Sequence, residues 1–410
     1  MRVLMWEHFA PGGPIRVGGH HFARRFLRRG DRVVWCAGPL APWNLAGGND
    51  EIRARRRLWK QGGSRLEDGL FAYTPLTWLP HRRRPLLDTA AVARRTLSFT
   101  TPRFDRVLGR AGFDDVDLLF MEPGAPMTAL LDRYPRARWV YRMCDDTAAF
   151  PDTPRSFPEI EREVLERADL VLATARALEQ RARASGARRV LYLPNACEPE
   201  RFAAPPRADA GLASLGRPLA IYVGALDHWF DRDLLAETAR LLPGWRFALV
   251  GPERGAAGPL ASLPNVHRVG PRRYEDLPAC FAAADAGLVP FRLTPMTHAI
   301  HPIKVYEYLA AGLPVVATPM AETAAMQAPL TLASDAAAFA AALVSACDRS
   351  GAPGGDAARS ARIAWARRHT WDERFERLAA ALADAGVDRR NDRVMTPEAG
   401  TVRAAAGGRR

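Results

Sequence analysis

Short apolar runs alternate with amphipathic segments along the first half of the chain. The segment HHFARRFLRRG (20–30) has apolar residues on one side and arginines on the other, and Gly30 ends it. A second amphipathic segment, EIEREVLERA, covers 159–168. Apolar runs of strand length lie around these segments, at 3–6, 32–36, 117–121, 138–142, 169–173 and 190–194. Strands that alternate with helices predict βαβ units and a mostly parallel sheet, so the predicted fold class is α/β.

The alternation restarts near residue 218, which predicts a second α/β domain. Strand-like runs lie at 219–224, 246–252, 265–270, 286–291 and 313–318, with helical segments at 233–242, 274–284 and 304–312. The segment 198–218 is rich in Pro, Ala and Gly and has the composition of an interdomain linker. We predict an N-terminal domain at 1–200, a linker at 201–217, a C-terminal domain at 218–368, a helix at 369–386 that packs back towards the N-terminal domain, and a disordered tail at 387–410. A cleft between two such domains is a natural ligand site.

The net charge and the cysteine content indicate the kind of partner and the cellular compartment. The 410 residues carry a formal charge of +13, mostly from arginine, which suits a phosphate-bearing partner. A GC-rich genome would also give an arginine-rich chain, and this explanation stays open. The five cysteines are scattered, as in a protein from a reducing compartment. No apolar run reaches the ~18 residues of a spanning helix, and charged Glu7 interrupts the N-terminus, so we expect a cytoplasmic protein.

Two basic clusters lie in the first half of the chain. They are RARRRLWK (53–60) and HRRRP (81–85), and Trp78 and Leu79 stand beside the second. Basic residues next to aromatic ones suit an anionic membrane surface. We therefore expect peripheral contact with the inner face of the plasma membrane. Nucleic acid is not expected as a partner, because no reading module is recognisable and the arginines are spread over many helices.

The stretch HPIKVYEYLAAGLPVVATPM (301–320) carries the strongest chemical signal. Pro302 suits a first helical turn, and Lys304 and Glu307 share a face at the helix N-terminus. The free N–H groups and the helix dipole favour an anion there. A phosphate could bind these groups with Lys304 as its counter-charge, and Glu307 could accept hydrogen bonds from a ribose diol. The alternative is an ordinary ion pair between the two side chains on a solvated face.

This stretch resembles the donor-site segment of glycosyltransferases with the GT-B fold, especially the family 4-like (group 1) bacterial enzymes. The segments 219–252, 263–291 and 140–152 resemble the family in the same order. The resemblance implies two Rossmann-like parallel-sheet domains facing across a cleft. It also implies sugar transfer from a nucleotide sugar, with UDP as the expected carrier, to an acceptor held on the N-terminal domain.

Several site residues follow from the resemblance alone. By motif position Glu307 would hold the ribose and Lys304 the diphosphate, while Gly224 would let the backbone approach the phosphates. Further donor contacts are expected from residues at the glycine-rich loop, the turn after 265–270 and the start of the donor helix, namely Gly18, Gly19, Arg272 and His301. His21 could touch the acceptor or the diphosphate, or be a structural histidine.

The chain also departs from the family pattern. Retaining members carry a second glutamate eight residues before the position of Glu307, where this chain has Ala299. They carry an Arg and a Lys after the strand matched to 219–224, where this chain reads ALDHWFD. The stretch YRMCDD (141–146) resembles the xanthan-type glucuronosyltransferases, whose motif places a carboxylate in the cleft. An inverting transferase needs a general base, and the candidates are Asp145 first and Asp146 second, unless one of them only caps the following turn.

The sequence therefore predicts a transferase of bacterial surface or exopolysaccharide synthesis. We expect no metal or other cofactor, since the Asp-x-Asp pairs at 115–117 and 231–233 are poorly placed for a metal and His298 and His301 lack a third ligand. The acceptor is expected to be a saccharide or a polyprenyl-diphosphate-linked saccharide. The alternatives are a nucleotide-sugar epimerase of the same fold, a catalytically inactive sugar-nucleotide binder, and a basic nucleic-acid-binding protein.

Overall fold

A computed structural model describes residues 1–13, 15–124, 126–203, 207–351 and 355–384. Within this part of the chain, no helix is long and apolar enough to cross a bilayer. The tail predicted at 387–410 lies outside the described residues. The fold is built on two large sheets, one from each half of the chain.

The first sheet has eight strands in the order β10-β9-β8-β7-β1-β2-β4-β3. All neighbours are parallel except β3 and β4. The strands are β1 (Arg2–Glu7), β2 (Arg32–Ala37), β3 (Ser64–Glu67), β4 (Leu70–Tyr73), β7 (Leu118–Met121), β8 (Arg138–Met143), β9 (Leu170–Ala173) and β10 (Val190–Tyr192). A separate antiparallel pair is formed by β5 (Leu76–Thr77) and β6 (Thr100–Thr101).

Helices cover both faces of this sheet, which explains why its central strands are almost wholly apolar. In β1 every residue after Arg2 is buried. The helices of this half are α1 (Gly18–Arg28), α2 (Asp50–Lys60), α3 (Ala90–Arg95), α4 (Phe104–Arg110), α5 (Met127–Arg133), α6 (Phe157–Arg167) and α7 (Arg176–Ala184), with 3-10 turns at 42–45, 96–99 and 147–149.

The second sheet has six parallel strands in the order β13-β12-β11-β14-β15-β16. They are β11 (Leu219–Val223), β12 (Arg246–Val250), β13 (Val266–Arg268), β14 (Ala286–Val289), β15 (Val315–Ala317) and β16 (Thr331–Leu332). The helices around it are α10 (Arg232–Leu241), α11 (Leu277–Ala283), α12 (Pro295–His298), α13 (Ile303–Ala310), α14 (Ala321–Ala325), α15 (Ala336–Gly351) and α16 (Gly355–Arg367), with 3-10 turns at 258–262 and 274–276. The predicted α/β class is confirmed.

The connection between the sheets is partly helical. It contains α8 (Pro199–Ala203) and α9 (Ala210–Ala213), whose Phe202 and Leu212 are buried in the core of the second sheet. The segment predicted as a linker is therefore anchored by apolar packing, although its composition resembles that of a loop. The domain limits themselves stay a prediction.

The chain returns to the first sheet through α17 (Trp371–Asp384). This helix packs on α1, with the Phe375 ring centroid 5.1 Å from that of Phe26 and Trp371 stacked on His21 at 4.7 Å. Trp371, Leu378 and Leu382 belong to the buried cluster on that face of the first sheet. The first half of the chain thus shares its core with a helix from the far end.

Residues that follow the first sheet's strands meet residues of the second sheet. Phe150, after β8, has its ring centroid 5.8 Å from that of His228, which follows β11. Three hydrogen bonds join the two halves nearby: Asn195 Nδ2 to the His301 carbonyl at 2.7 Å, and the Arg176 N–H and Tyr192 hydroxyl to Glu322 at 2.6 and 2.9 Å. The carboxyl ends of the two sheets therefore face each other across a cleft.

Candidate active site

The helix α13 carries the donor-site segment towards this cleft. It begins after Pro302, and no side chain caps its N-terminus. Its second residue, Lys304, lies with Nζ 4.6 Å from the ring centroid of Phe291 and 5.3 Å from that of Tyr222. The ammonium group is thus held by aromatic faces, and the first-turn N–H groups are left without a side-chain acceptor.

Lys304 and Glu307 each shift the pKa of the other. Burial lowers the pKa of Lys304 to about 8, against the opposing effects of Glu307 and Asp145. Burial raises the pKa of Glu307 to about 8, and nearby Glu198 adds to the rise while Lys304 opposes it. No salt bridge joins Lys304 to any carboxylate of the described residues. Because Glu307 is only 5% exposed, the alternative of an exposed ion pair does not hold.

Asp145 lies just after β8, half-buried on the opposite side of the cleft. Burial raises the pKa of its carboxyl to about 7, and Glu122 and Asp146 raise it further, while Arg142 and Lys304 lower it. The effect of Lys304 shows that the donor helix and this carboxyl lie close enough to interact. A carboxyl that loses its proton near neutral pH is suited to act as a general base.

Asp146 has a different environment. It forms an ion pair with Arg181, which also lies 3.2 Å from Glu161. Its carboxylate is thus already neutralised by a neighbouring cation. The 3-10 turn at 147–149 has no side-chain cap, so capping explains neither aspartate. The geometry favours Asp145 over Asp146 as the base.

The glycine pair at the start of α1 sits on two buried charged groups. A Cβ atom on Gly19 would lie 2.2 Å from the carboxyl atoms of Glu7, and one on Gly18 would lie 2.4 Å from Nη2 of Arg142. Glu7 is fully buried, its carboxyl oxygens have no hydrogen-bond partner among the described residues, and burial together with Glu122 raises its pKa well above the usual range. Both glycines are therefore required by packing, whatever their role towards a diphosphate.

Gly224 ends β11 with a φ of +149°, a backbone conformation that favours glycine. A Cβ atom there would lie 2.9 Å from the Tyr222 hydroxyl and 3.2 Å from Cε of Lys304. The absent side chain thus leaves room for the lysine stem against the end of the strand. Gly224 and Lys304 therefore lie together, and the role predicted for Gly224 towards the phosphates stays a prediction.

The structure gives Arg272 and His301 other partners. Arg272 Nε lies 3.7 Å from Asp209. His301 is buried, with Nε2 3.3 Å from the Tyr306 hydroxyl, and burial lowers its pKa to about 3. A neutral imidazole brings no charge to a phosphate, so a donor contact by either residue stays a prediction. His21 is stacked on Trp371, and its Nδ1 lies 3.6 Å from Glu198, so a contact of His21 with the acceptor or the diphosphate also stays a prediction.

Three polar residues near Asp145, of which Glu122 and Arg142 are buried and Asn195 is half-buried, were not predicted as site residues. Glu122 follows β7 and forms an ion pair with Arg142, and Arg142 Nη2 donates to Asn195 Oδ1 at 2.8 Å. The signal that could have found them is position. A charged or amide residue at the carboxyl end of a buried strand lies at the ligand-binding edge of a parallel sheet.

The two departures from the family pattern also have a structural setting. Ala299 is 4% exposed and packs with the apolar cluster of the first sheet, so a longer side chain would disturb the contact between the halves. In the loop 225–231, Asp227 holds His228 at 2.9 Å, and the Trp229 ring lies 6.3 Å from that of Phe150. The segment in which retaining members of the family carry Arg and Lys therefore holds an aromatic residue that contacts Phe150 across the cleft.

No group of three potential metal ligands is present among the residues that the structure describes. The aspartates considered as ligands have other partners. Asp117 accepts from the Arg2 N–H at 2.7 Å, and Asp231 caps α10 by accepting from the Leu234 N–H at 3.1 Å, as predicted. His298 Nδ1 accepts from the Ala321 N–H at 3.0 Å.

Comparison with known proteins matches each half of the chain to a glycosyltransferase family. Residues 5–174 match the N-terminal domain of the glucuronosyltransferase GumK, and residues 217–349 match the group 1 glycosyl transferases. Each half of the chain is thus similar to a domain of a glycosyltransferase, and the two sheets that face each other across a cleft form the GT-B fold. The predicted likeness to both the group 1 enzymes and the xanthan-type glucuronosyltransferases is thereby confirmed.

Among curated proteins, the chain resembles TuaH of Bacillus subtilis, which is named a teichuronic acid biosynthesis glycosyltransferase. The two are 29% identical over 231 residues, which cover 52% of this chain and 57% of TuaH. The match thus spans little more than half of the relative's length.

Solved structures confirm the GT-B fold over nearly the whole length of the chain. Sucrose-phosphate synthase of Thermosynechococcus elongatus superposes with a TM-score of 0.63 at 16% identity, covering 96% of this chain and 99% of the other. Anabaena HepE in complex with UDP-glucose gives 0.64 at 15% identity, covering 94% and 100%. At this level of identity the likeness concerns the fold alone.

Proposed function

We propose that the protein is a glycosyltransferase, which transfers a sugar from a UDP-sugar to a saccharide acceptor by a metal-independent inverting displacement. The observation that carries the proposal is the pair formed by Asp145 and Lys304 across the cleft. A carboxyl with a pKa near neutrality lies opposite a cation at an uncapped helix N-terminus. These are the two groups that a single in-line step requires.

In that step the acceptor hydroxyl oxygen attacks the anomeric carbon, and its proton passes to the Asp145 carboxylate. The bond between the anomeric carbon and the diphosphate oxygen breaks, and UDP leaves with the bonding electrons. Lys304 and the N–H groups of α13 stabilise the charge that develops on the diphosphate. Glu307, one turn deeper in the helix, faces the ribose. This scheme includes no metal ion, because Lys304 and the N–H groups of α13 neutralise the charge on the diphosphate.

The choice of UDP and of polysaccharide synthesis rests on the relatives. HepE forms complexes with UDP and UDP-glucose, and TuaH is named for teichuronic acid biosynthesis. The YRMCDD stretch lies within the region matched to GumK, a glucuronosyltransferase. We therefore propose a bacterial surface glycan or exopolysaccharide as the product.

The proposal predicts that purified protein releases UDP from a UDP-sugar only when an acceptor is added. Asp145→Asn should lower kcat about 10²- to 10⁴-fold, the usual contribution of a general base. Asp146→Asn is the matched control and should retain most turnover. Full activity of Asp145→Asn would remove this carboxyl from the mechanism, and loss of activity after chelation with EDTA would contradict metal independence.

The same assay separates the alternatives. An epimerase would interconvert UDP-sugars without any acceptor, and product analysis by NMR would show the new sugar. An inactive binder would give heat on titration with UDP-sugar but no turnover with any acceptor. Either outcome would replace transfer as the function.

We further propose that the acceptor is attached to a polyprenyl diphosphate at the inner face of the plasma membrane. The support is an exposed patch on the first half, which we term the apolar–basic patch: Trp43, Trp78, Phe99, Leu86 and Arg82 to Arg84. Trp78 is 58% exposed and Leu86 89%. The backbone N–H of Trp78 donates to the Phe99 carbonyl, and the Arg84 guanidinium lies 5.4 Å from the Trp43 ring centroid, so members of the patch contact each other in two pairs. Aromatic and cationic groups together suit an anionic lipid surface.

Liposome flotation tests this part separately. Vesicles with anionic lipid should recruit the protein more than neutral vesicles, and Leu86→Ser should reduce recruitment. Leu241→Ser, at a leucine 51% exposed on α10, is the matched control and should leave recruitment unchanged. Equal recruitment by neutral and anionic vesicles would refute the membrane contact without affecting the transfer reaction.

A further inference from the structure

A chain of polar contacts connects the strand that precedes Asp145 with the helix that carries Lys304. Arg142, in β8, is 3% exposed and forms an ion pair with Glu122. Its Nη2 donates to Asn195 Oδ1 at 2.8 Å, and Asn195 Nδ2 donates to the His301 carbonyl at 2.7 Å. His301 immediately precedes Pro302, the residue before α13. The Asn195 amide therefore uses both of its ends, one in each half of the protein.

The groups at both ends of this chain of polar contacts, the Arg142 guanidinium and the His301 backbone, are rigid. The Arg142 guanidinium is fixed by Glu122 and covered by Gly18, where any Cβ atom would collide with it. The His301 imidazole is buried beside the Tyr306 hydroxyl, which immobilises the backbone whose carbonyl Asn195 contacts. A hydrogen-bonded link between two rigid groups can transmit position, whereas a link between mobile groups cannot.

We infer that Asn195 is a positioning residue that sets the register between the Asp145 side and the Lys304 side of the cleft. It does not itself touch the reacting atoms. Asp145 lies three residues after Arg142, and Lys304 three residues after His301, so a shift at either contact moves one reactive group relative to the other. An error of about 1 Å in such a geometry can cost about 100-fold in rate. This inference rests on the proposed transfer reaction and deepens it.

The alternative is that any hydrogen bond between the two halves would set the register between the two sides of the cleft. The Tyr192 hydroxyl provides the comparison, because it bonds Glu322 at 2.9 Å across the same boundary. Glu322 Oε2 lies 3.9 Å from the His301 imidazole, but Asn195 bonds the backbone carbonyl of His301 and not its ring. Tyr192→Phe therefore removes one bond between the halves and leaves both hydrogen bonds of Asn195 in place. It is therefore the matched control for every measurement below.

Asn195→Ala should lower kcat about 10- to 100-fold while the Kd for UDP changes less than about twofold, since the proposed donor groups Gly224, Lys304 and Glu307 lie in the second half. Asn195→Asp keeps the acceptor for Arg142 but places a carboxylate against the His301 carbonyl. Its kcat should therefore fall by at least as much as that of Asn195→Ala. Tyr192→Phe should stay within about twofold of the wild type. Recovery of full activity in Asn195→Asp would show that only the Arg142 contact matters, and equal loss in Tyr192→Phe would show a general packing effect; either result overturns the inference.

The pH profile supplies a readout that a purely structural role would not move. The charged groups that act on Asp145 are Arg142 and Lys304, which lower its pKa, and Glu122 and Asp146, which raise it. Separation from Lys304 removes a stabilising positive charge, so the acid limb of kcat/KM in Asn195→Ala should move to higher pH, by about 0.5 unit. An unmoved limb together with lowered kcat would contradict the loss of register.

Hydrogen–deuterium exchange keeps the inference testable if no acceptor supports turnover. Backbone amides of 301–307 should exchange faster in Asn195→Ala than in the wild type or Tyr192→Phe. Unchanged exchange in a folded variant would refute the positioning role, even where transfer itself is shown. Failure of every sugar to turn over in the wild type would refute the proposed function and leave the exchange result standing.

Discussion

The replacement Asp145→Asn should stabilise the protein while it destroys activity. The pKa of this carboxyl rises from its usual 3.8 to about 7 in the folded protein. A shift of about 3 units corresponds to about 4 kcal/mol of unfavourable ionisation, at about 1.4 kcal/mol per unit. Because Asp145 is only half-buried, solvent screening reduces this, and we expect a gain of about 1–3 kcal/mol in the free energy of unfolding.

The gain should depend on pH in one direction. The unfolded chain releases this proton near pH 4, but the folded protein retains it until about pH 7. Stability therefore falls as pH rises through this window, and the cost is complete only above pH 7. The advantage of Asp145→Asn should thus be small near pH 4.5 and largest at pH 8.

Urea unfolding followed by tryptophan fluorescence measures both effects. The wild type, Asp145→Asn and Asp146→Asn are compared at pH 4.5 and pH 8. Asp146→Asn loses the ion pair with Arg181 and should be neutral or destabilised at both values. The decisive comparison is the gain in the free energy of unfolding of Asp145→Asn over the wild type. If this gain is no larger at pH 8 than at pH 4.5, ionisation of the carboxyl is not unfavourable in the folded protein, and the argument for Asp145 as a general base with a raised pKa fails.

Other predictions concern the donor side and the glycine pair. Lys304→Ala should weaken UDP binding about 10- to 100-fold but leave uridine binding nearly unchanged in calorimetry, since the lost contact is to the diphosphate; equal weakening of both would refute this role. The pH profile of kcat/KM should be a narrow bell, rising near pH 7 as Asp145 loses its proton and falling near pH 8 as Lys304 loses its own. Residual activity of Lys304→Arg should lack the alkaline limb, because arginine stays charged. Gly19→Ala should destabilise by about 1–3 kcal/mol through its clash with Glu7, whereas Gly12→Ala, with nothing within 4 Å, should be neutral in thermal unfolding.

Much of the fold could be predicted from hydrophobic patterning, because the central strands are buried on both faces. The apolar runs at 3–6 and 32–36 fall inside observed strands, and the run at 219–224 extends one residue beyond the end of β11. The missed strands β3 and β16 are short, and most of their residues are exposed, so burial leaves no apolar pattern in them. Helices α8 and α9 were missed because their packing is tertiary and their composition resembles that of a loop.

The site could be predicted only where one segment carries it. Lys304 and Glu307 lie on one helix turn, so their spacing was visible in the sequence. The pairing of Asp145 with Lys304, and the bond from Asn195 to His301 across 106 residues, arise from the way the sheets meet. Local spacing contains no record of such contacts, so position could at most mark Asn195 and Glu7 as polar residues near strand ends, without their partners.

The return of α17 to the first sheet has a consequence for synthesis. During translation the strands and helices of the first half emerge first, but Phe22, Phe26 and Phe120 then lack the cover that Trp371 and Phe375 later provide. A nascent chain that stops before α17 exposes this aromatic surface to the ribosome exit and to chaperones. The half that is made first is therefore the half that finishes folding last, and its completion waits until the donor-binding half has already emerged.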